Sequence, residues 1–135
     1  MRPVIPCLLL AAALVGCSSM HLSSHPTLAQ CEQYAGAPIQ RFDDRNSYQG
    51  WQVIGSSHLL VIVNNDAYLL GVAPPCAQMQ YATDIHLANA TPSEVSRLDY
   101  VLFEHERCLI DEIRPLDYGK LRQQLAQREP AAARG

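Results

Sequence analysis

The chain has 135 residues, 48% of them hydrophobic, which suits one small folded domain and excludes the composition of a disordered chain. Thirteen acidic residues against ten basic give a formal charge of −3. The basic residues are scattered, so no stripe is available to neutralise phosphates, and a nucleic-acid partner is not expected.

Met1-Arg2 supplies a short positive start, and Val4 to Val15 is apolar, broken only by Pro6. This run has about the length of a signal-peptide hydrophobic region and falls short of the roughly 20 residues of a membrane-spanning helix. Leu14-Val15-Gly16-Cys17 follows. These four residues resemble the bacterial lipobox, in which a diacylglycerol is joined to the cysteine sulfur and a dedicated peptidase cuts before that cysteine. The resemblance implies that Leu14, Val15 and Gly16 are read by the signal peptidase and that Cys17 carries the lipid. Residues 1–16 would be removed, Cys7 among them. The thiolate is the nucleophile that takes the lipid. Several acyl chains, at about 0.8 kcal/mol per buried CH₂, make a firm anchor where one would be marginal. Ser18, where Asp would signal retention at the inner membrane, favours the outer membrane on its periplasmic side. Residues 17–27 read as a lipidated tether: the stretch is polar and has no apolar period.

Residues 28–128 read as a small β-rich domain and 129–135 as a disordered tail. Thr27 and Gln30 form a capping box for a helix over 28–35, with Gly36 placed to end it in the left-handed conformation. Residues 41–49 are polar and turn-rich. Three β-prone runs follow at 51–54, 59–63 and 67–72. Gly55-Ser56-Ser57 and Asn64-Asn65 separate them, so they predict an antiparallel meander. Pro74-Pro75 ends it. One helical turn is expected over 76–81, and the alternation at 84–87 predicts a half-buried strand. Thr91-Pro92-Ser93-Glu94 resembles a capping box opening a single helical turn. Residues 100–103 and 108–113 predict a hairpin around Glu104–Arg107, closed by Pro115. A last helix is expected over 116–128. The fold class is mainly β (α+β): a small antiparallel barrel or bent sheet of five to six short strands, with short N- and C-terminal helices.

Of the cysteines, Cys31, Cys76 and Cys108 remain for the domain. An oxidising compartment favours a disulfide over a metal–thiolate site. Cys76 with Cys108 is the preferred pair, with Cys31 bonded to either as the alternative.

Several stretches, taken in order, resemble a family of small secreted or lipidated proteins of Gram-negative bacteria whose domain has no known function. They are Cys31, Tyr34-Ala35-Gly36-Ala37-Pro38-Ile39, Gly50-Trp51, Ala67-Tyr68-Leu69-Leu70, Pro75-Cys76, and Cys108 through Ile113-Arg114-Pro115-Leu116-Asp117. The resemblance implies a compact β domain with no known activity. Relatives carry glycine in the last hairpin turn, where this chain has Glu104-His105-Glu106. Some carry a further cysteine near Ser96, which would complete a second bridge.

Candidate chemistry is sparse. His105 and Cys108, with His86, could approach a metal, but positions i and i+3 on a strand face opposite ways. Asp111 and Glu112, with Glu104 and Glu106, read as surface acids, since no calcium-loop pattern is present. No Gly-x-Ser-x-Gly elbow or Cys-x-x-Cys pair occurs. Trp51, Tyr68 and Arg114, with Tyr34 and Tyr81, are candidates for a binding surface. The chain is therefore expected to be no enzyme and to need no cofactor or metal. It reads as a membrane-anchored interaction or structural module of the cell envelope, held to the membrane through Cys17 and facing an envelope protein or peptidoglycan. The alternative is a small-ligand or metal-binding accessory lipoprotein.

Overall fold

A computed structural model describes residues 25–45 and 48–132. The leader, its recognition residues Leu14, Val15 and Gly16, and Cys17 lie outside the described residues. The protein is mostly β, with eight strands in two antiparallel sheets and two short helices. The elements are α1 (Leu28–Gln33), β1 (Arg41–Asp43), β2 (Tyr48–Ile54), β3 (His58–Val63), β4 (Asp66–Val72), a 3-10 turn (Met79–Tyr81), β5 (His86–Ala88), β6 (Glu94–Ser96), β7 (Tyr100–Phe103), β8 (Glu106–Leu116) and α2 (Tyr118–Ala132). The larger sheet runs β2-β3-β4-β8-β7-β5 and curls into a half-barrel, while β1 and β6 form a separate ribbon.

The meander forms where the sequence predicts it. Asn64 and Asn65 both take positive φ, 53° and 68°, the turn whose twist matches that of the flanking strands. Alternation then divides the sheet into two faces. Leu59, Val61, Val63, Leu70 and Val72 face one core, together with Ile110, Ile113, Val101, Phe103 and Leu87 from the other strands. The β1–β6 ribbon covers part of that inner face, and Phe42 stacks on Tyr68 with ring centroids 4.2 Å apart. Ile54, Leu60, Ala67, Leu69 and Leu116 face the other way, where Cys31 and Leu121 cover them from α1 and α2.

β8 joins the two halves. Its residues 106–109 pair with β7 and its residues 110–116 pair with β4. The β4–β8 register slips between Gly71 and Val72, leaving Asp111 as the extra residue of a bulge. A Cβ on Gly71 would stand 3.2 Å from Asp111 Oδ1 and 3.3 Å from Glu112 Cβ. The missing side chain lets the bulged strand come this close, and a bulge bends and twists the sheet there.

Several local expectations are corrected by tertiary contacts. α1 stops at Gln33, two residues early, because residues 35–39 are drawn alongside β8 through bridges from Ala35 to Leu116 and from Ile39 to Ile113. Gly36 therefore ends no helix: its N–H donates to the Pro115 carbonyl at 2.7 Å, and a Cβ there would meet the Pro115 ring at 3.1 Å. Pro115 lies inside β8 rather than closing it. Of residues 41–49, read as turn-rich, 41–43 pair with β6, and Tyr48 and Gln49 belong to β2. Thr91–Glu94 opens no helical turn; Ser93 has φ 61° and Glu94 starts β6. The last helix begins at Tyr118, with Asp117 Oδ1 accepting from the Lys120 N–H, and runs to Ala132 into the expected tail. The Thr27–Gln30 capping box forms in both directions. The end of the expected tether is packed on the domain: Pro26 is buried and His25 contacts Gln52 of β2. Among the described residues no helix is long and apolar enough to cross a membrane.

Candidate binding groove

A groove of about 970 Å³ lies where α1, the β3–β4 turn and the first turns of α2 meet. Its lining includes Tyr34, Asn65, Asp66, Tyr118 and Arg122 over a base containing Gly36, Pro115 and Leu116. That volume is at the upper end of small-ligand sites. Each wall is fixed by hydrogen bonds. The Asp117 N–H donates to the Tyr34 carbonyl at 3.0 Å, tying the end of α1 to the start of α2. The Arg114 side chain donates to the Gly36 carbonyl at 2.9 Å and to the Ala35 carbonyl at 3.3 Å, and lies 3.7 Å from Glu112. The Asn65 N–H donates to Gln49 Oε1 at 3.1 Å, which holds the hairpin turn against β2.

Arg122 and Tyr118 are one helical turn apart, and the guanidinium carbon lies 5.7 Å from the ring centroid. The ion pairs among the described residues use Arg41, Arg45, Arg114 and Lys120. Arg122 is in none of them, and neither is Asp66. Asp117 is engaged by Lys120 at 3.6 Å and by its capping bond. The groove thus presents one cation held by an aromatic ring, one carboxylate without an ion-pair partner among the described residues, and two tyrosines.

A family model described as a family of unknown function, DUF6491, matches residues 1–132. The chain belongs to this family. No curated protein and no solved structure matches it.

The residues singled out from sequence take other positions. Trp51, Val61 and Tyr68 form one cross-strand row on the inner face. Tyr68 is stacked on Phe42, and burial together with nearby Asp66 and Asp43 raises its phenol pKa. Arg114 pairs with Leu69, so it belongs to the opposite face, and it binds Gly36 and Ala35 as described. The three are not brought together. Tyr34 alone of the aromatic set lines the groove, while Tyr81 stands exposed on the 3-10 turn. Cys76 and Cys108 lie at disulfide distance, with Cα atoms 5.8 Å apart. Cys31 is free, and burial first and Glu32 second push its thiol up to about 11.

Glu106 offers a carboxylate oxygen within 4.8 Å of the Cys76 and Cys108 sulfurs, but that carboxylate already accepts from the Gln78 N–H at 3.1 Å. His86 and His105 do not join this group. Ser57 Oγ and His58 Nδ1 are 2.8 Å apart. His58 Nε2 and Asp111 Oδ1 both approach Gly71, yet no bond between them closes a triad among the described residues.

Asp99 escaped notice in the sequence. Only 5% exposed, it accepts from the Ala90 N–H at 3.0 Å, the Ser96 N–H at 2.7 Å and the Ser96 hydroxyl at 2.8 Å. It ties the 89–99 loop against Ile110, whose N–H donates to the Asp99 carbonyl. Its only sequence signal was an Asp three residues after a Ser in a polar loop. Near it, a cleft of about 440 Å³ contains Asp44, Tyr48 and His86. Burial, then Asp43 and Asp99, raise the Asp44 pKa against its own backbone hydrogen bond. Burial and Asp84 raise that of Tyr48, whose hydroxyl donates to the Ile85 carbonyl.

Proposed function

We propose that this protein is a lipid-anchored module of the bacterial cell envelope that works by binding rather than by catalysis, with the groove between α2 and the β3–β4 turn as its binding face. The groove carries the reading: it combines a hydrogen-bonded frame, two tyrosines and charged side chains that lack ion-pair partners among the described residues. The groups with displaced pKa values, Cys31, Asp44, Tyr48 and Tyr68, lie outside it. The anchor rests on the lipobox-like Leu14-Val15-Gly16-Cys17, and Ser18 favours the outer membrane, facing the periplasm.

Two measurements test this. Mass spectrometry of protein from its native host should find an N-terminus at Cys17 carrying acyl chains; an unacylated N-terminus elsewhere removes the anchor. A photo-crosslinking residue at Asp66 should capture one envelope component in cells, and the same residue at Leu102 on the far half of the sheet should not. Equal capture from both positions, or none, removes the groove as the binding face.

A further inference from the structure

We propose that the groove binds an oligosaccharide bearing a carboxylate; this rests on reading the groove as the binding face of the module. A pyranose ring offers two kinds of surface. Its C–H faces pack on aromatic rings, and its hydroxyls donate to carboxylate and amide oxygens. The groove holds both counterparts. Tyr34 and Tyr118 are half-buried, so their rings lose little freedom when a ligand packs on them. Asp66 and Asn65 are exposed at the adjoining turn, within the same lining.

Arg122 adds the demand for an anion. The guanidinium is a planar fork matched to a carboxylate, and here it is held over the Tyr118 ring. It has no ion-pair partner among the described residues, in a chain whose formal charge is −3. Arg97 and Arg107 are also outside those ion pairs; what marks Arg122 is its place in the groove lining, over the Tyr118 ring, where it meets a ligand with both a stacking face and a negative charge. The volume of about 970 Å³ exceeds what one sugar ring fills, so a chain of at least two rings is the matching size.

The test uses the full-length protein in detergent micelles. It is titrated calorimetrically with the disaccharide of N-acetylglucosamine and N-acetylmuramic acid, which carries a carboxylate, and with diacetylchitobiose, its neutral counterpart. The acidic disaccharide should bind about ten-fold more tightly, the scale of one added charge-assisted contact. Arg122→Gln should bring the two affinities together without changing the melting temperature, and Arg122→Lys should restore part of the difference. Tyr118→Ala should weaken both sugars, with an unchanged far-ultraviolet spectrum reporting that α2 is intact. The proposal is overturned if neither sugar binds at about 10 mM, if the preference survives Arg122→Gln, or if the peptide trialanine binds and the sugars do not. A crosslink captured at Asp66 together with any of these outcomes would leave the binding face standing and remove only the sugar.

Discussion

On its inner face the half-barrel is packed by side chains from strands spread along the described chain, and the Cys76–Cys108 pair ties the connection after β4 to β8 on that side. On its outer face the sheet is covered by two helices, α1 and α2, from the two ends of the described chain. Leu69 and Leu70 make the contrast sharp: adjacent on β4 and 1% and 0% exposed, they point to opposite sides. A core closed by strands cannot relax without breaking ladders, whereas a helix docked on a sheet can shift or lift as a unit. The groove sits at the rim of the more adaptable side.

Leu70→Ala is expected to have the largest effect, about 3–5 kcal/mol in urea unfolding, because the rigid inner face keeps the cavity open. Replacing Cys76 and Cys108 together by Ser should cost about 3–4 kcal/mol, from releasing a loop whose ends are 32 residues apart. Leu69→Ala should cost less than Leu70→Ala, about 2–3 kcal/mol, and should speed amide exchange in α2 while leaving β7 unchanged. Equal costs for the two leucines, with no change in α2, would break the contrast between the faces.

Arg114→Ala should cost about 1–2 kcal/mol by removing two hydrogen bonds from a half-buried cation to the 35–36 backbone. Its exchange signature should be confined to the groove wall.

The smallest effect is a pH slope. In the folded state the Asp44 carboxyl holds its proton more tightly than its ordinary value of 3.8 allows, mainly through burial. The native state therefore binds more protons than the unfolded state between 3.8 and the raised value, so stability falls as pH rises through that window. Asp44→Asn should melt with the wild type at about pH 3 and above it at neutral pH. An equal difference at both pH values would discount the titration. The variant keeps an oxygen able to accept from Asn89 Nδ2, now 3.4 Å from Asp44 Oδ2.

The strands of the meander and the last hairpin were legible because the side-chain period of two and the Asn64-Asn65 turn are local properties. Three thiols left three pairings open; Cys76 with Cys108 was the preferred one, and the fold brings that pair to disulfide distance while Cys31 stays free. The groove was not legible. Tyr34, Asp66 and the Tyr118–Arg122 pair come from three separate stretches, and they meet because β4 and residues 35–39 both pair with the end of β8. Trp51 and Tyr68 were conspicuous as aromatics, yet sequence does not distinguish a ring that packs inward from one that faces a ligand.

By itself the sequence determined the β character, the capping box at Thr27 and the meander turns, since each depends on propensity and pattern over a few residues. Only the tertiary structure decided where α1 stops, which strand carries Pro115, the hub at Asp99 and the walls of the groove. Those follow from backbone groups finding partners far along the chain. A buried N–H or carbonyl must be satisfied wherever the fold brings an acceptor or donor to it, and no local pattern encodes that choice.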